Sequence, residues 1–406
     1  MHPIVAALKH HRTTIALVVI EIALACAIIT NALSLISDRL AAMRMTTGVV
    51  DNQLVWASTN YLDLGQANGA KKGTGLVAAD MAALRDIPGV KSVAETDGLP
   101  LNGNYISMSI YRQPGDKHSA LDVVEYLGTL GTLDTLGIQL TEGRDFLPQE
   151  YVDYDPFGNK PPPSAVIVTH ALAEQLWPGE DPLGKPVYLD DTGKNVVYVV
   201  GVIGHLLNPS IKYQSAEKNL ILPVKTVAAN PLYVLRVRPN QREAVSRQLP
   251  KVLTRVDAAR TVEAHVYSDT VASYFHGDRA MVWLLIVVIV CLLAVTALGV
   301  VGLSSFWVQQ RTRQIGIRRA LGATRADILR YFLTENFLIV SVGVLMGLLG
   351  AVALNLWLMD HYELHRMPLV WLPAGALVLW SLGQLAVLAP ALRASHVPPV
   401  VATRSV

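Results

Sequence analysis

The sequence predicts an α-helical membrane protein with four transmembrane helices and a large, water-exposed α+β domain between the first and second of them. Hydrophobic residues make up 51% of the 406 residues and charged residues only 16%, whereas a typical soluble domain is about 25% charged. The apolar residues are concentrated in a few long runs, while most of the prolines and of the charge fall elsewhere. This distribution excludes a purely soluble enzyme and a disordered chain, and it indicates bilayer spans joined to a folded domain in water.

Four apolar runs are long enough to cross a bilayer, which takes about 20 residues of helix. The first run continues past any small-residue cleavage site, so we interpret it as an uncleaved anchor. The predicted segments are the N-terminal segment with the first transmembrane helix (1–36), the water-exposed domain (37–279), the second helix (280–308), a basic segment (309–327), the third helix (328–359), a short external loop (360–368), the fourth helix (369–392) and a tail (393–406).

Basic residues near the ends of the spans predict the orientation, because cytoplasmic loops carry an excess of Lys and Arg. Lys9 and Arg12 precede the first span, and Arg393 and Arg404 follow the fourth. The segment between the second and third spans carries arginines at 311, 313, 318, 319, 325 and 330, opposed only by an aspartate at 327. We therefore predict that both termini and this segment are cytoplasmic and that residues 37–279 are extracytoplasmic.

The extracytoplasmic region reads as one large α+β domain or two smaller ones. Short β-branched runs at 165–168, 196–202 and 233–237 predict strands. Helices are predicted at 81–84, 170–176, 241–249 and 250–256. The Gly- and Lys-rich stretch 66–75 is predicted to be mobile, and the proline-rich stretch 151–163 to be an exposed loop or a boundary between subdomains.

The helical spacing of apolar residues continues beyond the predicted spans at both ends of this domain. It extends from the first span to Met43, and it precedes the second span from Val271 to Met281. The spacing favours a stalk in which both helices project from the bilayer, and short juxtamembrane turns are the alternative.

No motif supports an enzyme, and we predict no catalytic, cofactor-binding or metal-binding residues. Residues 179–186 resemble a nucleotide-binding P-loop, but Pro186 stands where Ser or Thr would hold magnesium, so a turn after a helix is predicted. His361 and His365 lie four residues apart beside Glu363, yet no third ligand is evident and a solvated loop is predicted. The two cysteines lie in apolar runs, which excludes a disulfide framework.

Two acidic residues fall inside predicted spans, where an unpaired carboxylate is costly. Glu335 lies close to the basic segment and is predicted to pair with it, whereas Glu21 either faces a neighbouring helix or sits near the interface. Gly343 and Gly347 form a G-x-x-x-G pair, which allows close approach of two helix backbones. Packing within the chain and a dimer face are both compatible with this pair.

The most informative stretch is residues 309–335, QQRTRQIGIRRALGATRADILRYFLTE, which is amphipathic and basic. It predicts a helix lying at the membrane surface, with Ile315, Ile317 and Leu321 turned inward. A break at 320–323 would end this helix, and Thr324 would cap the next one, which becomes the third span.

This stretch closely resembles the signature of MacB/FtsX-type ABC transporter permeases. The resemblance implies an ATPase-coupling site formed by Ile315, Gly316, Arg318, Arg319, Ala320, Leu321, Gly322 and Ala323. Residues 136–146, LGIQLTEGRDF, are similar to an external element of the family, which singles out Gly143, Arg144 and Asp145. Residues 171–185, with Gly184, resemble the segment that follows, and residues 199–204 and the tail at 389–399 also resemble the family pattern.

The resemblance implies a two-lobed external domain and a bacterial inner-membrane location. It also implies an ABC ATPase subunit in the cytoplasm that uses ATP and Mg, a second permease chain (identical or similar), and in some systems a periplasmic adaptor. No cofactor is expected on this chain, and its partners would include membrane lipid but no nucleic acid. The implied activity is efflux or release of a substrate by mechanotransmission; the alternative is a signalling subunit that regulates an external partner such as a cell-wall hydrolase.

Overall fold

The computed structural model describes residues 12–60, 65–103, 105–115, 120–154, 160–211, 216–227, 232–362 and 367–396. The chain forms two compact units. The helical unit comprises Met1–Met43 and Gly277–Val406, and the sheet unit comprises Arg44–His276.

In chain order, the helices are α1 (Arg12–Met43), α2 (Gly65–Arg85), α3 (Thr132–Leu136), α4 (His170–Leu176), α5 (Arg242–Val256), α6 (Tyr267–Tyr274), α7 (His276–Ala320), α8 (Arg325–Tyr362) and α9 (Trp371–Ser395). The strands are β1 (Leu54–Asn60), β2 (Val90–Thr96), β3 (Ile106–Ile110), β4 (Leu121–Gly128), β5 (Leu140–Gly143), β6 (Ala165–Thr169), β7 (Pro186–Tyr188), β8 (Val196–Ile203), β9 (Asn219–Pro223), β10 (Leu232–Val237) and β11 (Thr261–Val266).

Four helices of the helical unit are long and apolar enough to cross a membrane: α1, α7, α8 and α9. Their buried residues form a large apolar core, in which Ile22, Ile29 and Val344 are 1% exposed or less, and a smaller cluster around Ile315. Outward-facing side chains are also apolar: Leu24, Leu298 and others are more than half exposed. An apolar core with an apolar exterior is what a bilayer requires of a helix bundle.

The first and second long helices extend beyond their apolar spans, as the spacing of apolar residues predicts. Helix α1 continues to Met43 and α7 already begins at His276, and Arg39 and Asp278 pair beyond the apolar runs with 3.0 Å between Nη1 and Oδ1. The run predicted over 271–281 is helical except at Phe275, which separates α6 from α7, and the stalk itself stays a prediction. The surface helix predicted to run from 309 to the break at 320–323 is not a separate helix: residues 309–320 continue α7, because no proline interrupts them and Arg, Gln and Ala favour helix.

The sheet unit is built on an eleven-stranded sheet in the order β11-β1-β10-β2-β4-β9-β6-β8-β5, with β3 beside β4 and β7 beside β8. The strands predicted at 165–168, 196–202 and 233–237 are confirmed as β6, β8 and β10, and the helix predicted at 170–176 is confirmed as α4. The α+β class is therefore correct, while the two-lobed layout stays a prediction.

Helix extends further in the sheet unit than the sequence predicts. The stretch 66–75 lies in α2, which continues into an apolar face with Val77, Met81 and Leu84 buried, and the mobility of this stretch stays a prediction. The helices predicted at 241–249 and 250–256 are one helix, α5, which contains Pro250. Residues 151–154 and 160–163 carry no helix or extended strand, as predicted, and 155–159 lie outside the described residues.

Strands β2 and β4 meet through a single residue pair, Thr96 and Gly128. Side chains complete the contact: Thr129 Oγ1 accepts from the Glu95 N–H at 2.9 Å, and Asp97 Oδ1 accepts from the Leu127 N–H at 2.8 Å. Buried acids therefore concentrate where the two halves of the sheet join.

Glu95 and Glu125, which are 0% and 1% exposed, are the most deeply buried of these acids. Burial raises the pKa of Glu95 to about 8, and burial together with the charge of Asp97 raises the pKa of Glu125 to about 8. Both carboxyl oxygens of Glu125 lack a hydrogen-bond partner within the described residues. Both side chains are therefore held mainly neutral at neutral pH.

Candidate functional site

The end of α7 is fixed by a tight connection to α8. Gly322 adopts φ +102°, its N–H donates to the Arg319 carbonyl at 3.2 Å, and the Ala323 N–H donates to the Arg318 carbonyl at 3.0 Å. These are the two bonds of a Schellman motif, which ends a helix at a left-handed glycine. The predicted break at 320–323 is thus confirmed, and its backbone polar groups are satisfied locally.

The start of α8 is capped as predicted by Thr324. Its Oγ1 accepts from the Asp327 N–H at 3.2 Å, and Asp327 Oδ2 accepts from the Thr324 N–H at 2.9 Å. This reciprocal arrangement is a capping box with Asp in the third position. Residues 321–324 therefore form a rigid link between two long helices.

The two faces of this link differ in what they contact. Ile315 is 4% exposed and packs with Ile328 and Phe332 of α8 and with Ala391 of α9. Leu321 is 83% exposed. The prediction that Ile315 turns inward is confirmed.

The same prediction is wrong for Ile317, which is 45% exposed, and for Leu321. The segment continues α7 instead of lying flat, so its residues 317 and 321 share the face opposite to Ile315. Ile317 and Leu321 thus present two exposed apolar side chains at this connection.

Residues 321–324 form the tip of the α7–α8 connection. The end of α7 next to this tip also contacts α9. Arg319 Nη1 donates to the carbonyl of Ser395, the last residue of α9, at 3.1 Å. A cation at a helix C-terminus interacts favourably with its free carbonyls. The sequence gives no signal for this contact, because Arg319 and Ser395 are 76 residues apart.

The predicted pairing of Glu335 with the basic segment is confirmed, and its partner is Arg311. Arg311 Nη1 lies 3.0 Å from Glu335 Oε1 and 2.9 Å from Oε2. The guanidinium also lies over the Trp307 ring, 5.6 Å from its centroid. The pair joins α7 to α8 near the basic end of the helical unit.

Glu21 faces a neighbouring helix, which was one of its two predicted positions. Its Oε1 is buried without a hydrogen-bond partner within the described residues, and the carboxyl group lies against Gly299 of α7. A Cβ at Gly299 would lie 2.7 Å from Glu21 Oε2, so a larger residue there would displace the carboxyl group.

The G-x-x-x-G pair packs within the chain. A Cβ at Gly343 would lie 2.8 Å from Ile22 Cβ, and one at Gly347 would lie 2.6 Å from the Ala23 carbonyl oxygen. Both glycines therefore face α1, which is the intrachain alternative.

The external motif residues converge on strand β8. Gly143 pairs with Gly201, the Arg144 N–H donates to the Val200 carbonyl at 3.0 Å, and the Gly184 N–H donates to the Val199 carbonyl at 2.8 Å. Two stretches about forty residues apart in sequence thus join the same strand.

Arg144 makes a two-pronged ion pair with Glu150, at 2.9 Å (Nη1 to Oε2) and 2.6 Å (Nη2 to Oε1). This hydrogen bonding holds the pKa of Glu150 below its usual value. Asp145 Oδ1 accepts from the Phe146 N–H at 2.7 Å. These contacts stabilise the turn at residues 144–150, and their polar groups are engaged in hydrogen bonds.

The remaining motif-like residues bring together no cluster of three metal-ligating side chains in the part of the chain that the structure describes. Residues 179–185 form turns after α4, in which Lys185 bonds to Glu180 and lies over the Trp177 ring. His361 bonds to the Trp357 carbonyl, whereas Glu363 and His365 lie outside the described residues.

Comparison with known proteins gives matches along most of the chain. Residues 286–399 match the model of the FtsX-like permease C-terminal domain. The pyoverdine export ATP-binding/permease protein PvdT of Pseudomonas aeruginosa is 24% identical over 369 residues, which are 86% of this chain and 49% of that protein. A macrolide export ATP-binding/permease protein MacB 1/2 of Paracoccus denitrificans is 28% identical over 342 residues, 80% of this chain and 47% of that protein.

Among solved structures, the periplasmic region of MacB from Actinobacillus actinomycetemcomitans is similar with 15% identity and a TM-score of 0.37, covering 57% of this chain and 96% of that chain. The chain spans about half the length of the curated relatives that it matches.

Proposed function

This chain belongs to the MacB/FtsX-type ABC transporter permeases, and from that membership we propose that it is the transmembrane subunit that couples ATP hydrolysis by a partner ATPase to motion of its external domain. Its relatives are export proteins. The motion would expel or release a substrate on the outer side of the inner membrane by mechanotransmission. The chain itself would carry no ATPase activity, and ATP and Mg would be bound by the partner.

The observation that carries this proposal is the exposed tip between α7 and α8. Leu321 is 83% exposed and Ile317 is 45% exposed at a connection in which the N–H groups of residues 321–324 all donate hydrogen bonds. An exposed leucine on a rigid protrusion can fill a pocket on a partner with little loss of conformational entropy. The tip would lie in the cytoplasm, according to the arginine excess around it.

The tip is connected rigidly to the rest of the helical unit. Helix α7 runs without a break for 45 residues, which is about 68 Å at the α-helical rise. The Arg311–Glu335 pair and the Arg319–Ser395 contact join the basic end of α7 to α8 and α9. A displacement of the tip would therefore move whole helices and could be transmitted across the bilayer.

The partners follow from the same proposal. An ABC ATPase would bind the tip in the cytoplasm, and a second permease chain, identical or similar, would complete the transporter. A periplasmic adaptor would be an additional partner of the external domain. Both termini of the chain would be cytoplasmic.

The test measures association with an ATPase. The tagged full-length chain is purified from its own cells in mild detergent, and Mg-dependent ATP hydrolysis of the preparation is measured. We expect an ABC ATPase to copurify, and we expect Leu321→Ser and Gly322→Asp to reduce the bound ATPase and its turnover by about tenfold or more.

The control is Leu130→Ser, which removes a leucine that is 62% exposed in the sheet unit and should leave both quantities unchanged. Full turnover in a well-inserted Leu321→Ser variant would refute the coupling role of the tip.

A further inference from the structure

A cavity of about 130 Å³ lies between α7 and α8, on the side of the Arg311–Glu335 pair that faces the tip. It is well above the roughly 10–15 Å³ that admits one water molecule. Its polar lining comes from α7 and includes Gln314 and Arg318, and its apolar lining comes mainly from α8 and includes Ile328, Tyr331 and Phe332. The cavity therefore offers hydrogen-bond donors opposite an apolar wall.

The two arginines that line the cavity are in different situations. Arg311 is already neutralised, since its Nη1 contacts both oxygens of Glu335. Arg318 has no acidic partner within the described part of the chain, and its guanidinium lies over the Tyr331 ring with 4.9 Å from Cζ to the centroid. This contact orients a planar guanidinium whose edge is free to bind an anion.

The position of the cavity relative to the apolar run indicates the source of that anion. The apolar run of α7 ends at Val308, and the nearest wall of the cavity, Arg311, follows three residues later, which is about 5 Å along the helix. The headgroup layer of a bilayer is about 5–8 Å deep on each side. Helical side chains lean towards the helix N-terminus, so Arg318 on α7 leans back towards the membrane.

We propose that this cavity binds the headgroup of an anionic phospholipid of the surrounding bilayer. Arg318 and Gln314 would donate to the phosphate oxygens, and Ile328 and Phe332 would contact the apolar part of the same lipid. Basic pockets between transmembrane helices are suited to anionic headgroups, because a guanidinium can bind phosphate through two parallel hydrogen bonds. The inference does not depend on the proposed ATPase partner, because its ligand comes from the bilayer.

The test titrates the purified full-length chain, in detergent, with phosphatidylglycerol or with phosphatidylcholine of the same acyl chains, and counts bound lipids by native mass spectrometry. We expect the first phosphatidylglycerol to bind about tenfold more tightly than the first phosphatidylcholine. We expect Arg318→Gln to abolish this preference and Arg318→Lys to retain part of it, because lysine keeps the charge without the planar donor pair.

The matched control is Arg313→Gln, since Arg313 is exposed on the same helix and does not line the cavity. Retention of the preference in this variant supports a specific site, whereas an equal loss in both variants would show only general attraction to a basic surface and would overturn the proposal. Retention of the preference in Arg318→Gln would also overturn it. A third arm adds glycerol phosphate: displacement of the lipid by this soluble anion at similar concentration would show that the cavity binds free phosphates instead.

Thermal unfolding in phosphatidylcholine distinguishes a binding defect from a folding defect. Arg318→Gln should unfold at the wild-type temperature there and should lose only the extra stability conferred by phosphatidylglycerol.

Discussion

Arg311 of α7 and Glu335 of α8 form the best buried ion pair of the helical unit. The Glu335 side chain is 2% exposed and that of Arg311 is 15% exposed, with 2.9 Å between Nη1 and Oε2. The pair spans 24 residues of sequence and closes the base of the connection that carries Leu321 at its tip. The stiffness of this connection therefore depends on a buried pair as well as on apolar packing.

We expect Glu335→Gln to destabilise the helical unit by about 3–5 kcal/mol, because removal of one partner leaves a buried, unpaired charge. The double variant Arg311→Gln/Glu335→Gln should recover much of that loss. The measurement is the unfolding free energy of the purified chain in mixed micelles, analysed as a double-mutant cycle. Arg313→Gln, at an exposed position, should change it little, and additive effects of the two changes would contradict the pairing.

Gly347 sets the distance between α1 and α8. Its missing Cβ would lie 2.6 Å from a backbone oxygen of Ala23, which cannot rotate away. We expect Gly347→Ala to cost about 1–3 kcal/mol of stability through overpacking. Gly302→Ala is the matched control, because no heavy atom lies within 4 Å of the position of its Cβ. A variant at Gly347 that stays stable but changes oligomeric state would instead indicate a dimer face.

The buried acids of the sheet unit predict a dependence of its stability on pH. The pKa of Glu125 is raised to about 8 and so is that of Glu95, mainly by burial. In the unfolded chain a glutamate has a pKa of about 4.3, so between about pH 4.5 and 8 the folded state holds protons that the unfolded state has released. The contribution of these two groups to stability is therefore largest below this range and is lost as the pH rises through it.

Amide hydrogen exchange of β4 in the full-length chain measures this effect locally. We expect the protection of β4, after correction for the intrinsic rate, to decrease as the pH rises from about 5 to about 8. Glu125→Gln should weaken that dependence, because it is neutral at every pH. Glu142→Gln is the control, because Glu142 is exposed on β5, and it should show the pH dependence of the wild type. If the wild type and both variants show the same pH dependence, Glu125 is ionised in the folded state and the prediction is wrong.

The orientation is tested by labelling with a membrane-impermeant maleimide. Cysteine replaces Glu142 in the sheet unit or Arg313 near the tip, both of which are exposed, in a Cys291→Ser background that leaves only buried Cys26. We expect the cysteine at 142 to react in intact cells and the cysteine at 313 to react only after the membrane is opened. Labelling of both in intact cells would place them on one side of the bilayer and would contradict the proposed coupling.

Much of the helical unit could be predicted because its signals are local. Apolar runs identify the spans, Gly322 and Thr324 mark the ends of two helices, and the acid at Glu335 requires a nearby cation. The extent of α7 could not be predicted in the same way. An amphipathic basic segment can lie on a membrane or extend beyond it, and the sequence periodicity is the same in both cases.

The sheet unit was less predictable, because strand pairing depends on residues far apart in the chain. Buried strands such as β6, β8 and β10 were recognisable from their composition. Their order in the sheet, and the burial of Glu95 and Glu125 at the β2–β4 contact, could not be derived from any local pattern.

The sequence by itself determined that this protein has four apolar spans, that a break at 320–323 separates two helices and which permease family its basic segment resembles, because each of these rests on residues within a few turns of one another. Only the tertiary structure decided that Arg311 is the partner of Glu335, that the paired glycines face α1 and that Leu321 points away from the bundle. Those outcomes depend on which helix faces lie against each other, and packing fixes that relation only when all the helices are in place.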